Sequence, residues 1–303
     1  MSHSTRLPEK VEHVVALLKD ENWCTSYVSH LRWPEGFTCP VCGRYHPDIK
    51  TDKNPTCLDC GKSSSLTAGT LMHGSKKNIS DWLQAIWWLC GSTEKQNIKD
   101  LQQLLRLGSY QTAWTWMQKL RCAMHLLEQQ KCRGELEIDY SVLPQLIDDS
   151  SIYIVAVIEI RLTDWSTGRI KMAAFDRLTP EAIEQFLKDS VSAGSVVFAP
   201  DKEPFRSVKT LDCLYSIESG KKFHENLRGI HAHFYNWYTR KHHRRASLTL
   251  LQKDLIEFSF HINSKLSITR QLLFENLLRA IIRHTPVPCH ALAEQSYPAR
   301  GVA

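Results

Sequence analysis

Two pairs of cysteines, each spaced C-x-x-C, constrain the fold of this chain more than any other feature of its sequence. Fourteen residues separate the pairs, and a glycine follows each of them. Four thiolates at this spacing can surround one Zn²⁺ as a tetrahedron, and the glycines allow the backbone to turn so that its amides face the sulfurs. Four protein ligands leave no open position on the metal, so it would hold a fold and perform no chemistry. The sequence therefore predicts a structural zinc site formed by Cys39, Cys42, Cys57 and Cys60.

The alternatives for these cysteines are a pair of disulfides, a redox C-x-x-C motif, or a chance spacing. The N-terminal residues do not resemble a signal peptide, which argues against a disulfide framework. A single redox motif would not need a spaced duplicate. The remaining six of the ten cysteines are scattered as single residues, as expected of reduced thiols in a cytoplasm. We therefore favour zinc and expect a cytoplasmic protein.

Length and composition set wider bounds on the organisation of the chain. At 303 residues and 43% hydrophobic content, the chain is long enough for two or three domains. No apolar run reaches the length of a membrane span, so we expect no membrane partner. The formal charge of +6 and the pI near 8.7 are compatible with a polyanionic partner but do not establish one.

The segment 73–133 has the pattern of a helix-turn-helix. Ser80 is predicted to cap a helix with an apolar stripe, and two further helices are predicted on either side of Gly108. The helical period of the last helix separates an inward face from an outward face. Ala113, Trp116, Met117 and Leu120 are predicted to pack inward, and Gln111, Thr112, Thr115 and Lys119 to be available to DNA. The alternative is a helical pair unrelated to DNA, since two helices joined by a glycine turn are common.

From residue 134 the pattern changes to strands. Apolar strands are followed by amphipathic helices, one of which is predicted to begin at the cap Thr179 and Pro180, and this order predicts a mixed sheet with helices on its faces. Asp139 and Asp201 each follow an apolar stretch, where neighbouring strands of such a sheet end. Two strand-end carboxylates can bind divalent metal ions through hard oxygen ligands. The alternative is that each aspartate only terminates its strand, because aspartate is a common turn former.

Seven stretches spread over most of the chain match the motifs of a known family. They are 31–43, 69–75, 112–114, 137–139, 197–201, 224–226 and 254–263. On these residues the chain resembles the insertion-sequence transposases that join an N-terminal zinc ribbon and helix-turn-helix to an RNase H-like catalytic core of the DDE type, with asparagine often in third place. The resemblance implies an α/β, multi-domain protein with an N-terminal helical segment 1–34, a zinc ribbon 35–72, a helix-turn-helix region 73–133, an RNase H-like mixed sheet with flanking helices 134–283, and a flexible tail 284–303.

The resemblance also implies an activity and its residues. Asp139, Asp201 and Asn226 would be the catalytic triad and would bind Mg²⁺ or Mn²⁺, and the reaction would be metal-dependent cleavage and transfer of DNA strands. The partner would be double-stranded DNA, both the terminal inverted repeats of the element and the target, bound by a homo-oligomer in the nucleoid. A basic run in the same domain would lie near DNA phosphates or, as the alternative, form a solvated loop: Arg240, Lys241, Arg244 and Arg245.

The chain departs from this family beside the catalytic positions. Tyr140 and Ser141 replace the usual Glu-Thr after the first aspartate, and Lys202 replaces the aromatic residue after the second. Gly229 and Asn236 stand where a glutamate and a basic residue are expected. The three metal-binding positions therefore keep suitable residues. The changed residues lie around them, and residues in such places normally orient the metal ligands. Two functions are compatible with the resemblance and these departures: a transposase, or a transposase-derived DNA-binding protein with impaired catalysis. A third alternative, outside this family, is a zinc-ribbon transcription regulator with an unrelated ligand domain.

Overall fold

The chain folds into two compact units. The computed structural model describes residues 7–8, 10–47, 54–91, 96–144, 151–208, 212–218, 225–241, 247–265 and 269–285. The first unit comprises Met1–Ala123 with Ile268–Leu292, and the second comprises Met124–Ser267 with Ala293–Ala303. Within the described ranges, no helix is both long and apolar enough to cross a membrane.

Helices and strands alternate in a mixed order along the chain. The helices are α1 (Val11–Leu17), α2 (Glu21–Arg32), α3 (Ile79–Leu89), α4 (Ile98–Leu104), α5 (Tyr110–Leu127), α6 (Pro180–Ser190), α7 (Glu225–Lys241), α8 (Leu248–Ser264) and α9 (Arg270–Arg283). The strands are β1 (Phe37–Thr38), β2 (Tyr45–His46), β3 (Glu135–Pro144), β4 (Ser151–Ile160), β5 (Thr167–Phe175), β6 (Val196–Pro200) and β7 (Leu214–Glu218). A short 3₁₀ helix covers Phe205–Ser207. This mixture confirms the predicted α/β class.

Helix α6 begins where the sequence predicts, and α3 does not. The Thr179 hydroxyl accepts a hydrogen bond from the Ala182 N–H at 3.2 Å, with proline in the first turn. For α3 the predicted cap Ser80 is wrong, because the helix already includes Ile79 and its N-cap makes no side-chain hydrogen bond. The carboxylate of Glu21 accepts from the N–H groups of Ile79 and Ser80 instead, at 3.1 and 2.8 Å. A side chain from another helix thus satisfies donors that a local cap would otherwise take.

The core of the first unit is aromatic and includes α9, the last helix that the structure describes. The rings of Trp82 and Trp116 stack with their centroids 3.8 Å apart. Phe274 of α9 meets the ring of Trp87 edge-on. Four apolar residues at helical spacing in α9 are buried: Phe274, Leu277, Leu278 and Ile281. The sequence assigned this helix to the domain 134–283, whereas the contacts group it with the first unit, because its apolar stripe is buried there.

The second unit is built around a five-stranded mixed sheet of order β5-β4-β3-β6-β7. Strand β4 runs antiparallel to both β3 and β5, while β3, β6 and β7 run parallel to one another. One face of the sheet packs on α6 through a core that includes Leu136, Ile138 and Phe186. The other face packs on α7 and α8 through a second core that includes Phe234 and Phe258. Both faces are therefore covered, as the apolar strands predict.

Strand β3 carries acidic residues on one face only. Leu136 and Ile138 belong to the core beneath α6. Successive side chains of a strand point to opposite faces, so Glu137 and Asp139 lie on the face that α7 and α8 cover. Both are buried, at 0% and 9% exposure. The sheet thus places Asp139 under the helix that carries Asn226.

Candidate functional site

The four predicted zinc ligands lie together in the first unit. The Sγ atoms of Cys39 and Cys60 are 3.7 Å apart, those of Cys42 and Cys57 are 3.6 Å apart, and all four lie within 4.8 Å of one another. A tetrahedron with Zn–S bonds of about 2.3 Å has sulfurs roughly 3.8 Å apart. The cluster therefore fits one Zn²⁺, and its thiolates would hold the metal as a closed structural site.

Each C-x-x-C pair forms the same tight turn. The Gly43 N–H donates to the Cys39 carbonyl at 2.9 Å, and the Gly61 N–H donates to the Cys57 carbonyl at 3.0 Å. Both glycines adopt positive φ, +74° and +65°, which other residues reach only at a cost. The spacing and the glycines, both local features, are enough to bring two sulfurs of each pair to one side of the turn.

A histidine between the two cysteine pairs contacts this cluster. The Nε2 atom of buried His46 lies 3.2 Å from Cys57 Sγ and 3.3 Å from a carboxylate oxygen of Asp59. The pKa of Cys57 is lowered to about 6, first by the N–H of Cys60 and also by His46. At Cys57, the thiolate form that binds metal is therefore favoured. His46 follows the second cysteine by four residues, but its contact depends on the pairing of β1 with β2.

The pair of helices α4 and α5 has the predicted inward face. Its four predicted residues are all buried: Ala113, Trp116, Met117 and Leu120. The turn between the helices differs in detail, since the residue with positive φ is Arg106, at +47°, and not Gly108. The Leu107 N–H closes this turn by donating to the Gln102 carbonyl at 2.9 Å. A helix pair with a tight turn is present, and its use in DNA binding stays a prediction.

The four predicted outward residues of α5 differ in their surroundings. Gln111 and Thr112 are exposed in the first turn. Thr115 is partly buried, and its hydroxyl donates to the Gln111 carbonyl at 3.0 Å. The ammonium of Lys119 donates to the His73 carbonyl at 2.8 Å and lies 5.9 Å from the centre of a tryptophan ring. The start of α5 is thus the part of this face that is open to a ligand.

Asp139 and Asp201 lie where two parallel strands separate. Strands β3 and β6 pair from Glu135 opposite Val196 to Glu137 opposite Phe198, and the pairing ends there. Asp201 directly follows β6. Asp139 lies within β3, which continues to Pro144 beside β4, so it does not end its strand as expected. The two aspartates nevertheless share the carboxyl edge of the β3–β6 pair, where open α/β sheets bind ligands.

Both aspartates form ion pairs with basic residues of the loop after β6. Lys202 Nζ lies 2.5 Å from Asp139 Oδ1, and the Tyr140 N–H donates to the same oxygen at 2.7 Å. Arg206 Nε lies 2.5 Å from Asp201 Oδ1. The hydrogen bond from Arg206 holds the pKa of Asp201 below its usual value. Neither basic residue was among the predicted site residues, although Lys202 adjoins Asp201 in sequence.

Helix α7 brings a histidine to the same region. Asn226 is partly buried in the first turn of α7 and, among the described residues, forms no hydrogen bond with either aspartate. Five residues further along, His231 Nδ1 lies 2.9 Å from Ser141 Oγ of β3. Burial lowers the pKa of His231 to about 4, so its ring is neutral at pH 7. The histidine contact, which the sequence did not indicate, joins α7 to the strand that carries Asp139.

Asp139, Asp201 and Asn226, as this structure arranges them, do not fit a divalent cation. Two carboxylates and one amide are suitable oxygen donors for Mg²⁺ or Mn²⁺. An oxygen of each carboxylate is, however, in contact with the cationic group of Lys202 or Arg206. These groups neutralise the charge that would attract the metal. The four cysteines, by contrast, have all their Sγ atoms within 4.8 Å of one another.

The predicted basic run is described only in part. Arg240 is exposed near the end of α7, and Lys241 is the last residue of that helix. Arg244 and Arg245 lie outside the described residues, as does the tail beyond residue 285. Contact of this run with DNA phosphates stays a prediction.

The amino-terminal part of the chain is similar to a known domain. Residues 19–63 match the family model of the transposase zinc-ribbon domain. The matched segment contains all four clustered cysteines and His46. The match supports a zinc-ribbon insertion-sequence transposase relationship for this segment, and it does not extend to the second unit.

Other comparisons add little. A search of curated proteins found no match to this chain. Among solved structures, the chain is similar to one chain of the "CryoEM structure of simian T-cell lymphotropic virus intasome in complex with PP2A regulatory subunit B56 gamma". The identity is 12% and the TM-score 0.31, and the alignment covers 57% of this chain and 66% of that one, slightly under two thirds of its length. At this TM-score the similarity supports no argument about fold or activity.

Proposed function

We propose that the protein is a transposase-type DNA-binding protein that acts at the ends of an insertion sequence. The observation that carries this proposal is the four-cysteine cluster, which has zinc geometry and lies inside the segment that matches the transposase zinc-ribbon domain. The formal charge of +6 is compatible with DNA as the partner.

In this proposal, the first unit reads the DNA. Zinc would hold the two C-x-x-C turns of the ribbon together. Helix α5 would be the second helix of a helix-turn-helix, and its first turn would enter a groove of the DNA. Gln111 and Thr112 are the exposed residues at that position. Glutamine can make two hydrogen bonds to an adenine edge, so it is suited to direct reading of sequence.

The second unit would be the RNase H-like core that the sequence resemblance implies. Its covered mixed sheet and the shared edge of Asp139 and Asp201 support this assignment. Asp139, Asp201 and Asn226 would hold Mg²⁺ or Mn²⁺, which when bound would supply charge stabilisation for DNA strand cleavage and transfer. Holding a metal requires that Lys202 and Arg206 leave the carboxylates.

A second candidate function is DNA binding at element ends without strand cutting. The ion pairs of Asp139 with Lys202 and of Asp201 with Arg206 favour it specifically. In such a protein the acidic residues would stabilise the loop after β6 and would have no catalytic part.

One experiment separates these functions. Zinc-loaded full-length protein is incubated with a duplex that carries the end of its own element, in the presence of Mg²⁺ or Mn²⁺, and binding and strand nicking are measured together. Specific binding with nicking that Asp139→Asn abolishes supports the transposase. Specific binding without nicking under either ion supports the binding-only protein. Equal affinity for every duplex contradicts both.

A further inference from the structure

Two residues that differ from the transposase pattern, Tyr140 and Lys202, are in contact in the structure. The family usually has a glutamate after its first aspartate and an aromatic residue after its second; this chain has Tyr140 and Lys202. The ammonium of Lys202 lies 4.1 Å from the centre of the Tyr140 ring. The same ammonium lies 2.5 Å from Asp139 Oδ1. The ammonium of Lys202 thus contacts both the ring of Tyr140 and the carboxylate of Asp139, which lie 62 and 63 positions earlier in the sequence.

The surroundings hold this lysine in place. A cation over the face of a tyrosine ring is attracted by the negative centre of that ring. The Tyr140 ring in turn contacts the ring of Phe205, with centroids 5.9 Å apart, and Phe205 is fully buried. Phe205 begins the 3₁₀ helix that follows Lys202. The lysine side chain, itself 38% exposed, therefore lies between a ring that contacts the core and an aspartate whose side chain is 13% exposed.

We propose that Lys202 is a built-in counter-ion of Asp139, held by Tyr140, and that it competes with divalent cations for this carboxylate. A divalent cation would need the oxygens of Asp139 as hard ligands. An ammonium in contact with one of those oxygens offsets the negative charge of the carboxylate and would repel a second cation placed at the same distance. The inference rests on the proposed function only in taking Asp139 as the metal position of a transposase core.

Arg206 has a related but separate position. Its Nε donates to Asp201 Oδ1 at 2.5 Å, and its Nη2 donates to the Asp201 carbonyl at 3.2 Å. Both groups are about half exposed, at 53% and 48%, so water screens this pair. The Asp139 pair is the less exposed of the two, and we assign the competition to Lys202 for this reason.

The test is Mn²⁺ binding to zinc-loaded full-length protein, followed by electron paramagnetic resonance of the free ion and without DNA. Lys202→Met removes the ammonium and keeps much of the side-chain volume. Removing a positive charge beside a metal ligand should tighten Mn²⁺ binding by about tenfold or more. Lys202→Gln should act in the same direction, and Tyr140→Leu should give a smaller gain. Lys188→Met is the matched control, because Lys188 is an exposed lysine of the same unit, and it should leave Mn²⁺ affinity unchanged.

A second variant shows whether the gain arises at Asp139. Adding Asp139→Asn to Lys202→Met should return Mn²⁺ affinity to the wild-type value. Circular dichroism and zinc content establish that each variant is folded. Equal Mn²⁺ affinity of wild type and both Lys202 variants would overturn the proposal, as would a gain that persists with Asp139→Asn. If the protein does not bind an element-end duplex, the proposed function is contradicted, but the result of this Mn²⁺ titration is not affected.

Discussion

The carboxylate of Glu21 accepts a hydrogen bond of 2.8 Å from the backbone N–H of Ser80, so that α2 caps the first turn of α3. The same carboxylate accepts from the N–H of Ile79 at 3.1 Å. Donors in the first turn of a helix have no partner within the helix, and a negative charge there also complements the helix dipole. This one side chain therefore links two helices of the first unit.

Glu21→Ala should lower the free energy of unfolding of the first unit by about 1–2 kcal/mol, because two helix N–H groups lose their acceptor. The measurement is urea unfolding followed by tryptophan fluorescence, since α3 contains three tryptophans. Glu12→Ala is the control, because Glu12 is an exposed glutamate in the first turn of α1. If the free energy of unfolding falls no more for Glu21→Ala than for Glu12→Ala, the hydrogen bonds of Glu21 to α3 contribute nothing to stability.

Cys57→Ser should release the zinc. We expect one Zn²⁺ per chain in the wild-type protein, because the four Sγ atoms fit one tetrahedral ion. Removing one thiolate should abolish stoichiometric binding, and chelation of the wild type should unfold the ribbon, since metal binding and folding are coupled in small zinc modules. Zinc content by mass spectrometry checks this. Cys213→Ser, which changes a cysteine of the second unit, should keep the full zinc content.

Gln111→Ala should weaken recognition at one base pair of the element end. Loss of a glutamine contact to a base edge costs about 1–3 kcal/mol for the preferred base and little for the others. Binding of full-length protein to a set of duplexes with single base changes measures this. Gln103→Ala is the control, because Gln103 is an exposed glutamine of α4. A uniform loss on all duplexes would mean that Gln111 contributes to affinity without reading sequence.

His231 should make the second unit sensitive to acid. Its pKa in the folded protein is about 4, against an ordinary value of 6.5, chiefly because of burial. Between these two pH values the unfolded chain binds the additional proton, so the free energy of unfolding should fall as the pH is lowered from 6.5 towards 4. His231→Gln should reduce this slope, and it keeps a polar group beside Ser141.

The comparison to make is the unfolding free energy at pH 7 and pH 5, for wild type and His231→Gln. Burial and Lys171 also lower the pKa of His125, so part of the pH dependence should remain in the variant. The difference between the two slopes is the contribution of His231. Identical slopes would place its titration outside this pH range.

The sequence alone determined those features that depend on neighbouring residues. Each half of the zinc cluster follows from a C-x-x-C spacing and a glycine that allows positive φ, and each of these two turns closes within five residues. The start of α6 follows from Thr179 and Pro180, since a cap acts over three residues. The inward face of α5 follows from the helical period. In each case the decisive interactions lie within one turn of the chain.

The tertiary structure decided what depends on contacts between distant residues. Glu21 replaces the predicted cap Ser80 across 59 positions. Helix α9 joins the first unit because its apolar stripe finds an aromatic core there, and an amphipathic pattern indicates a buried face without naming the surface that buries it.

The surroundings of Asp139 and Asp201 likewise depend on contacts between distant residues. Aspartates after apolar strands indicate a shared edge, but the pairing of Asp139 with Lys202 depends on how β3 and β6 separate and on where the next loop turns. Residue types and spacing specify which charges are present. Only the folded chain decides which of those charges meet, because ion pairing acts over a few ångströms in space without regard to distance along the sequence.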